Sequence, residues 1–528
     1  MKETESLPPI PPTKPVSWPG YRLYAACCQQ LNLTPIDALM RSKRLQTPAD
    51  SITSFDFSHR ELSVDDCRGI VSFLGSLNNL THLALNQIPF NPKSFKLIID
   101  FIARSHIDNL EFFGLHPPTE HIPMILRVLE CPTLERLKLG DNSFSSETLV
   151  NIAQAVVDSP AQIVQLHLGG NLLGSGDREA VEDFMNTVSG YRPLISIGLR
   201  SCGLTGEHVP ALVALLRHPA CEITDLQLKN NPLGEAGGSI ADSFYHNDTL
   251  RVLELQSTLL NATAVSRIAQ ALPNLPSLRA INLNNNPIGD AGAQALADSL
   301  AVHCSISTLG LSGIRCTALG ARYIGSALRD NPVVTGLDLS HNALGDQGAA
   351  DIAAVIHSSS VVESVDLSNN GIGVRGGVIL AKAVASSGTV RHIDLGRNHL
   401  TDTAAAEWGA ALAANTVLQR LCLTDNQLTD RGAEALYVGL RQNRVLTNFS
   451  YGGQSTGANV ISRSWRHAID RIVRANRGRG GSSPMMPVAP SSLGHVRYHS
   501  SPGLLGVELP HHTRSSSDGV LDVGGFIY

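Results

Sequence analysis

The chain has 528 residues, of which 43% are hydrophobic and 16% are charged, and its formal net charge at pH 7 is −5. These values are typical of a globular protein with a large core. The mild negative charge argues against nucleic acid or an anionic membrane surface as a partner. No run of about 18 apolar residues occurs, so the sequence predicts no membrane-spanning helix.

The N-terminal region divides into two predicted parts. Residues 1–20, MKETESLPPIPPTKPVSWPG, are rich in proline and contain no apolar signal core, so they are predicted to be a disordered leader. Residues 21–50 are predicted to form a small helical cap. The nine cysteines of the chain are dispersed and form no C-x-x-C pair, which favours a reducing compartment. We therefore expect a cytoplasmic protein.

A repeated unit occupies residues 51–458. Asn342, Asn370, Asn398 and Asn426 follow one another at intervals of 28 residues, and a weak last copy places Gln454 at this position. About fifteen copies can be aligned, including the degraded ones near the N-terminus. A period of this kind predicts a stacked array of identical structural units.

Each unit predicts a strand, a turn and a helix. Leu337 and Leu339 alternate with polar residues, as in a short strand with one buried face. The asparagine amide that follows can both donate and accept hydrogen bonds, so it is suited to satisfy backbone groups in the turn. Glycine recurs six residues later, as at Gly348, and is predicted to let the chain turn tightly into the helix.

The C-terminal region again divides into two predicted parts. Residues 459–477 place apolar residues on one helical face and arginines on the other, which predicts a capping helix over the last repeat. The alternative is a basic patch for an anionic surface. Residues 478–528 are rich in serine, glycine and proline and are predicted to be a disordered tail.

The pattern LxLxxNxIGxxG followed by a helix resembles the leucine-rich repeat of the ribonuclease-inhibitor type. This resemblance implies an α/β solenoid, a horseshoe with parallel strands on the concave face and α-helices on the convex face. The segment 21–45 is also similar to the N-terminal segment of some centrosomal and ciliary leucine-rich repeat proteins. That similarity implies a cytoskeletal or ciliary scaffold as one alternative.

Catalytic signatures are missing from the sequence. It contains no G-x-x-x-x-G-K-[ST], H-E-x-x-H or G-x-S-x-G motif, so no cofactor, metal or small-molecule substrate is implied. The stretch CPTLERLKLGDNSFS (131–145) resembles a segment of the Ran GTPase-activating proteins, which use an exposed arginine in an early repeat. Arg68 and Lys96 occupy the corresponding places, but a lysine does not reproduce the guanidinium fork.

The repeat register also predicts which side chains lie on the concave face. The candidates for partner binding are Lys138, His167, Arg200, Lys229, Glu254, Asn282, Asp338, Asp366 and Asp394. Among the few aromatic candidates on this face is Phe112. The three aspartates are open to two interpretations, a site for a basic partner or the common polar residue of this repeat.

The sequence thus favours a non-enzymatic scaffold. It is expected to be a monomeric solenoid that binds one or more protein partners through its concave face and edge loops, without nucleic acid or membrane insertion. The alternatives are a GTPase-activating protein for a Ran-like small GTPase and a cytoskeletal or ciliary scaffold.

Overall fold

The structure is a computed structural model that describes residues 18–58, 61–302, 305–452 and 459–479. Within these ranges the chain forms fifteen β-strands and sixteen α-helices. The predicted leader lies outside the described residues apart from 18–20, and so does the predicted tail apart from 478 and 479.

Strands and helices alternate along the chain. The strands are β1 (Ser54–Ser58), β2 (His82–Asn86), β3 (Asn109–Phe113), β4 (Arg136–Lys138), β5 (Gln165–His167), β6 (Ser196–Gly198), β7 (Asp225–Gln227), β8 (Val252–Glu254), β9 (Ala280–Asn282), β10 (Thr308–Gly310), β11 (Gly336–Asp338), β12 (Ser364–Asp366), β13 (His392–Asp394), β14 (Arg420–Cys422) and β15 (Asn448–Ser450). The helices are α1 (Gly20–Gln30), α2 (Asp37–Met40), α3 (Val64–Leu74), α4 (Pro92–Ile102), α5 (Ile122–Leu126), α6 (Ser146–Asp158), α7 (Arg178–Ser189), α8 (Val209–Arg217), α9 (Ala262–Ala271), α10 (Gly289–Val302), α11 (Ala318–Leu328), α12 (Gly345–Ser358), α13 (Val374–Ser386), α14 (Asp402–Ala414), α15 (Asp430–Leu440) and α16 (Arg463–Arg479).

The strands form one open parallel sheet. Their order in the sheet is their order in the chain, from β1 to β15, and each strand pairs with the next without a shift in register. Between consecutive strands the chain crosses over through a helical segment, which is how parallel neighbours must be connected. The predicted α/β solenoid is therefore confirmed.

One continuous core lies between the sheet and the helices. In the repeat that contains β11, Leu337 and Leu339 are buried from the strand side, and Ile352 and Ile356 of α12 are buried from the helix side. The flanking strand residues Gly336 and Asp338 point the other way and are partly exposed. This alternation follows from the period of two in a strand.

The repeated asparagine joins each repeat to the one before it. Asn398 is buried, and its Oδ1 accepts hydrogen bonds from the backbone N–H groups of Asn370 and Ile372, both at 3.0 Å. Its Nδ2 donates to the carbonyls of Leu367 and Leu395 at 3.0 and 3.1 Å. The predicted role of the asparagine amide is confirmed.

In the last repeat this role belongs to a different residue than predicted. Asn459 Oδ1 accepts from the backbone N–H groups of Asn426 and Leu428, and its Nδ2 donates to the carbonyl of Leu423. Gln454, which the period selects, lies outside the described residues. The assignment of Gln454 to this role was wrong because extra residues separate the last strand from its asparagine.

The residue before this position has a left-handed backbone in eleven successive repeats. Asparagine, aspartate and glycine tolerate this conformation best, and several of these residues belong to those types. They are Asp141, Gly170, Ser201, Asn230, Ser257, Asn285, Gly313, His341, Asn369, Arg397 and Asp425. The conformation turns the chain sharply at the end of each strand, so that the asparagine side chain enters the core.

The repeated glycine leaves room both in the turn before its helix and against the preceding repeat. Gly376 lies inside the first turn of α13, where a Cβ atom would approach Ile372 Cγ2 to 2.7 Å and Ala349 Cβ of the preceding repeat to 3.0 Å. The closest contact, to Ile372, lies in the turn that leads into the helix, in agreement with the predicted need for a small residue there. The contact to Ala349 shows that the missing side chain also brings adjacent helices close together.

Aspartates at the start of several helices cap the helix of the next repeat. Asp346 Oδ1 accepts from the backbone N–H groups of Gly373 and Gly376 at 2.7 and 2.9 Å. Asp290 Oδ1 accepts in the same way from Thr317 and Gly320 at 2.8 and 3.0 Å. These bonds satisfy donors that a helix N-terminus leaves unpaired.

Both ends of the described array carry helices. Helix α1 packs against α3, with Cys28 Sγ 3.0 Å from the position of a Cβ on Gly69. Helix α16 packs against α15 and β15, and Asn476 Nδ2 donates to the carbonyls of Asn443 and Leu446 at 3.3 and 3.1 Å. These contacts cover apolar surface that the first and last repeats would otherwise expose.

Candidate partner-binding surface

The sheet surface is formed by side chains that point away from the helices. On the later strands it carries Asp338, Asp366 and Asp394, which are aligned in register on the neighbouring strands β11, β12 and β13. We call these three residues the aspartate ladder. Adjacent strands in a sheet lie ~4.8 Å apart, so the three carboxylates are close neighbours of like charge.

Each ladder aspartate accepts a bond at the end of its own strand. The Oδ1 atoms accept hydrogen bonds from the backbone N–H groups of Ser340, Ser368 and Gly396, at 3.0, 2.9 and 2.7 Å. Asn282 Oδ1 accepts from Asn284 N–H in the same way at 3.0 Å. A neutral amide therefore meets this local need, and the charge of the aspartates is not required for it.

The electrostatic environment of Asp366 disfavours its charged form. Burial, followed by the charges of Asp394 and Asp338, raises the pKa of Asp366 to about 7, against the opposing effect of the hydrogen bond from Ser368. Within the described residues, neither Asp338 nor Asp366 forms an ion pair with Lys, Arg or His. In this part of the chain the ladder thus concentrates negative charge without a cation to balance Asp366.

The ladder adjoins Gly310, a buried glycine of the sheet whose missing side chain leaves space for its neighbours. This residue lies on β10 between Asn282 of β9 and Asp338 of β11. A Cβ atom on Gly310 would lie only 2.8 Å from Asn282 Oδ1 and 2.9 Å from Asn284 Oδ1. Because that side chain is missing, Asn284 Nδ2 reaches across β10 and donates to Asp338 Oδ2 at 3.2 Å. We call Gly310, Asn282, Asn284 and Asp338 the Gly310 notch.

Two buried polar atoms near this notch have no hydrogen-bond partner among the described residues. They are Asn282 Nδ2, a donor, and Gln256 Oε1, an acceptor. Asn282 is 3% exposed and Gln256 is 8% exposed, so both side chains are nine-tenths buried or more. Buried polar groups are normally paired, because an unpaired one costs about 1–3 kcal/mol.

The middle part of the sheet surface has a different organisation. Lys138 Nζ lies 3.5 Å from Glu111 Oε2, and Arg200 Nη2 lies 3.6 Å from Asp141 Oδ2. His167 lies between the two cations, and burial followed by the charges of Lys138 and Arg200 lowers the pKa of His167 to about 4. We call Glu111, Lys138, Asp141, His167 and Arg200 the middle segment; its two cations are each balanced by a neighbouring carboxylate.

Two further candidate binding residues lie between the middle segment and the Gly310 notch. Lys229 follows β7, and Glu254 ends β8 in register with Gln227 and Asn282. Burial raises the pKa of Glu254, while a hydrogen bond from Gln256 and the charge of Lys229 oppose that shift. The charge on this part of the surface is again offset by a neighbour of opposite sign.

The aromatic candidate was placed on the wrong face. Phe112 is 1% exposed and belongs to the core, whereas Phe113 lies on the sheet surface with the Arg200 guanidinium 6.0 Å from its ring centre. Leu110 and Phe112 alternate with Glu111 and Phe113 on β3, so the two phenylalanines face opposite sides. The prediction for Phe112 was wrong by one residue of register.

A family model described as "Leucine Rich repeat" matches four segments of the chain, residues 274–297, 330–353, 358–381 and 414–436. Each segment covers one strand, the turn after it and the first part of the following helix. The chain is built from leucine-rich repeats.

Two solved structures are similar to parts of this chain. One is a chain in the crystal structure of the Rad7 and Elc1 complex in yeast, with a TM-score of 0.45, 12% identity, and coverage of 78% of this chain and 89% of that chain. The other is the Leiomodin-1 Actin-Binding Site 2, with a TM-score of 0.26, 14% identity, and coverage of 29% and 88%. A comparison with curated proteins found no match.

The two residues of the GTPase alternative lie on successive helices of the first repeats. Arg68 is on α3, where its Nη1 lies 3.4 Å from Asp65 Oδ1 one turn earlier, and Lys96 is exposed on α4. Both belong to the helix layer of the leucine-rich repeats, so they are separated from the sheet surface by the core.

Among the described residues no three His, Cys, Asp or Glu side chains come together in a way that could hold a metal ion. None of the helices in these ranges combines the length and the apolar character needed to cross a membrane.

The sequence selected the ladder residues for partner binding but not the residues around them. The repeat register selected Asp338, Asp366 and Asp394 correctly as neighbours on one face. The same register places Gln256, Asn284 and Gly310 on this face, but none of the three was selected as a partner-binding residue. The signal that could have singled them out is Gly310 itself, a glycine at a strand position where the neighbouring repeats carry Asn282 and Asp338.

Proposed function

We propose that this chain is a non-enzymatic interaction scaffold that binds one or more protein partners through the sheet surface and the adjoining edge loops. The leucine-rich repeats supply a long rigid surface, and rigid elements hold binding side chains more accurately than loops do. Helices of 11–14 residues in the regular later repeats, from α10 to α15, favour the ribonuclease-inhibitor type of repeat.

One observation carries the proposal: the aspartate ladder places three carboxyl groups side by side where the bond at the end of each strand needs only an amide. The backbone bond that each Oδ1 accepts would be equally available to an asparagine, as it is at Asn282. Three carboxylates on adjacent strands repel one another and disfavour the free state. A partner that relieves this repulsion would gain affinity from it.

Site-specific crosslinking in cells tests the proposal. A photoreactive amino acid is placed at Ser364 or Thr424 on the sheet side, and in matched variants at Gln294 or Asp298 on the exposed side of α10. We expect partner proteins to be captured from the sheet positions in preference to the helix positions. Partners captured only from the helix positions would refute binding through the sheet surface.

The non-enzymatic part of the proposal has its own assay. Single-turnover GTP hydrolysis by small GTPases is measured with the wild-type chain and with Arg68→Ala. We expect no acceleration by either protein, because Arg68 lies on the helix side of the first repeats, away from the sheet surface proposed to bind partners, and the second position is a lysine. An acceleration that disappears in Arg68→Ala would instead support a GTPase-activating protein.

We further propose a cytoplasmic location, with the cytoskeleton or cilium as the specific address. The support is the similarity of residues 21–45 to the N-terminal segment of centrosomal and ciliary leucine-rich repeat proteins. Imaging of the tagged chain tests this address, and a uniformly diffuse signal would count against a cytoskeletal or ciliary location.

A further inference from the structure

Helix α16 carries a strongly basic surface at the C-terminal end of the array. Its exposed arginines are Arg463, Arg466, Arg471, Arg474 and Arg477, which we call the arginine patch. Within the described residues none of the patch arginines forms an ion pair with a carboxylate. The positive charge is local, because residues 459–479 contain six arginines and one aspartate, a formal charge of +5, whereas the whole chain carries −5.

We propose that the arginine patch binds an acidic segment of a protein partner, through bonds from its guanidinium groups to the carboxylates of aspartates and glutamates. This role goes beyond the proposed function, since the patch lies on the capping helix and not on the sheet surface. The capping helix then has two roles, because one side covers the last repeat and the other side binds the partner.

The patch arginines are not needed to hold the helix in place. Ile469 and Val473 are buried on the side of α16 that packs against the last repeat. Arg463, Arg471 and Arg474 are exposed, and at 3.6 residues per turn they fall within roughly a quarter of the helix circumference. Substituting these three arginines therefore removes charge from one stripe of the surface without opening the core.

The acidic residue of α16 does not balance the patch. Asp470 is partly buried, and its Oδ1 accepts a hydrogen bond from the hydroxyl group of Tyr451 at 2.8 Å. This carboxylate is thus turned toward the last repeat, where Tyr451 follows β15. The side of the helix that faces solvent is left with a net positive charge.

Backbone carbonyls fix two of the guanidinium groups. Arg466 Nε donates to the carbonyl of Ile461 at 3.0 Å, and Arg477 Nε donates to the carbonyl of Thr447. Each bond uses one N–H group, so the two terminal nitrogens can still bond two carboxylate oxygens at once. A guanidinium held in this way loses less conformational entropy when a ligand binds.

Two features favour an acidic peptide over a membrane or a nucleic acid. Among the described residues of α16 no large apolar side chain is exposed, so this helix has no group to insert into a lipid layer. Without residues 459–479 the chain carries a formal charge of −10, which repels a long polyanion or an anionic membrane that extends beyond the helix. A short segment avoids this repulsion, because charges more than ~8 Å away are largely screened.

The length of the patch fits a short acidic segment. Arg463 and Arg477 are 14 residues apart in one helix, which corresponds to ~21 Å. An extended chain covers this distance in about six residues. Exposed Arg444 adds a further cation beside the last turn of α16, since the carbonyl of the adjacent Asn443 accepts from Asn476 Nδ2 at 3.3 Å.

Selection of displayed peptides on the full chain tests the proposal. A random dodecapeptide library is selected against the wild type and against a triple variant with Arg463→Gln, Arg471→Gln and Arg474→Gln, which retains good helix formers. We expect the peptides that are enriched on the wild type but not on the triple variant to be rich in aspartate and glutamate. A difference between the two selections that contains no acidic peptides would overturn the proposal.

Fluorescence anisotropy with one selected peptide measures the effect. The triple variant should bind it about tenfold more weakly or worse, and so should the wild type when the acidic residues of the peptide are replaced by their amides. The matched control combines Arg192→Gln, Arg217→Gln and Arg329→Gln, which are exposed elsewhere on the molecule and make the same charge change. Equal losses of affinity in the two triple variants would overturn the proposal.

Alternative ligands and folding are checked with the same proteins. Circular dichroism melts show whether each triple variant is folded. Vesicles of phosphatidylcholine and phosphatidylserine, and a single-stranded oligodeoxynucleotide, replace the peptide in parallel binding assays. Tighter binding of the vesicles or the oligonucleotide than of the selected peptide, abolished in the α16 triple variant, would overturn an acidic protein segment as the ligand.

The outcomes are separable from those of the proposed function. If the α16 triple variant binds the selected peptide normally while partners crosslink to the sheet positions, the role of the arginine patch is refuted and the sheet surface stands. If partners crosslink only to the α10 positions while the α16 triple variant loses the peptide, binding through the sheet surface is refuted and the role of the arginine patch stands.

Discussion

The middle segment and the aspartate ladder are made by the same repeat and use charge in opposite ways. In the middle segment, Lys138 is paired with Glu111 and Arg200 with Asp141. In the ladder, the charges that act on Asp366 are those of other aspartates. A polar residue at a given repeat position therefore has no fixed role in the electrostatics of the surface. Its role depends on the residue one repeat before or after it.

We expect the two regions to share one underlying scaffold, and substitution of the repeated asparagine in each region tests this most strongly. Asn171→Ala in the middle region and Asn398→Ala beside the ladder each remove an amide that accepts from two backbone N–H groups. We expect each variant to lose about 3 kcal/mol or more of unfolding free energy, because buried donors are left unpaired. Urea unfolding measures the loss.

The control is Asn186→Ala on the exposed side of α7, which should change stability by less than about 0.5 kcal/mol. A large loss for Asn171→Ala together with a negligible one for Asn398→Ala would contradict a shared scaffold.

The charge of the ladder itself is tested by Asp366→Asn. The folded-state pKa of Asp366 is raised to about 7, so the native state holds a proton that the unfolded chain releases above about pH 4. The stability of the wild type should therefore fall as pH rises from about 4 to 7. Asparagine has no such proton to release, so the stability of the variant does not fall in this range. Its free energy of unfolding should exceed that of wild type by on the order of 2–3 kcal/mol at pH 8, with little difference at pH 4.

Thermal melts of Asp366→Asn and wild type across this range measure the effect, with Asp298→Asn as the control for net charge. A variant that is less stable than wild type at pH 8 would show that the ladder carboxylates are balanced by a cation after all.

The pairing in the middle segment is tested by Arg200→Met. Burial raises the pKa of Asp141, and the Arg200 charge counteracts that rise. Removing the cation should raise the pKa further and cost no more than about 1 kcal/mol near pH 7, because both partners are partly exposed. Arg200→Lys should recover part of the loss. Identical urea midpoints for Arg200→Met and wild type would mean that the pair of Arg200 and Asp141 contributes nothing to stability.

The smallest effect is expected for Asp290→Asn, an aspartate with the opposite pH response. Burial alone would raise the pKa of Asp290, but hydrogen bonds from Thr317 and Gly320 outweigh burial and hold the pKa below its usual value. Its stabilisation is present above the unfolded pKa and is lost as pH falls below about 4. The variant should cost less than about 1 kcal/mol at pH 7 and nothing at about pH 2.

Melting curves at the two pH values measure this difference, and Asp366→Asn serves as its counterpart. If both substitutions shifted stability in the same direction at neutral pH, the distinction between capping and ladder aspartates would be wrong.

Most of the fold could be predicted because the period is visible in the sequence. Asn342, Asn370 and Asn398 define the register, and the register defines which side chains are buried. The errors arose where the period is weak or broken. Phe112 was assigned to the surface because two phenylalanines stand side by side, and the last asparagine was missed because residues are inserted before Asn459.

The site was less accessible to prediction because it depends on contacts between repeats. The bond from Asn284 to Asp338 joins residues 54 positions apart and skips one strand. It forms only because the strand in between carries Gly310. No property of Asn284 or Asp338 alone indicates the bond, so it becomes visible only when three strands are placed side by side.

The repeated asparagine also has a consequence for how such a chain can change in length. Each amide serves the backbone of its own repeat and of the preceding one, as Asn398 does for Leu395, Asn370 and Ile372. Deleting part of a repeat would leave N–H groups without an acceptor, whereas duplicating a whole repeat adds one amide together with the groups it must satisfy. The chain can therefore lengthen or shorten in whole units of its own period, and each new junction would be as well bonded as the old ones.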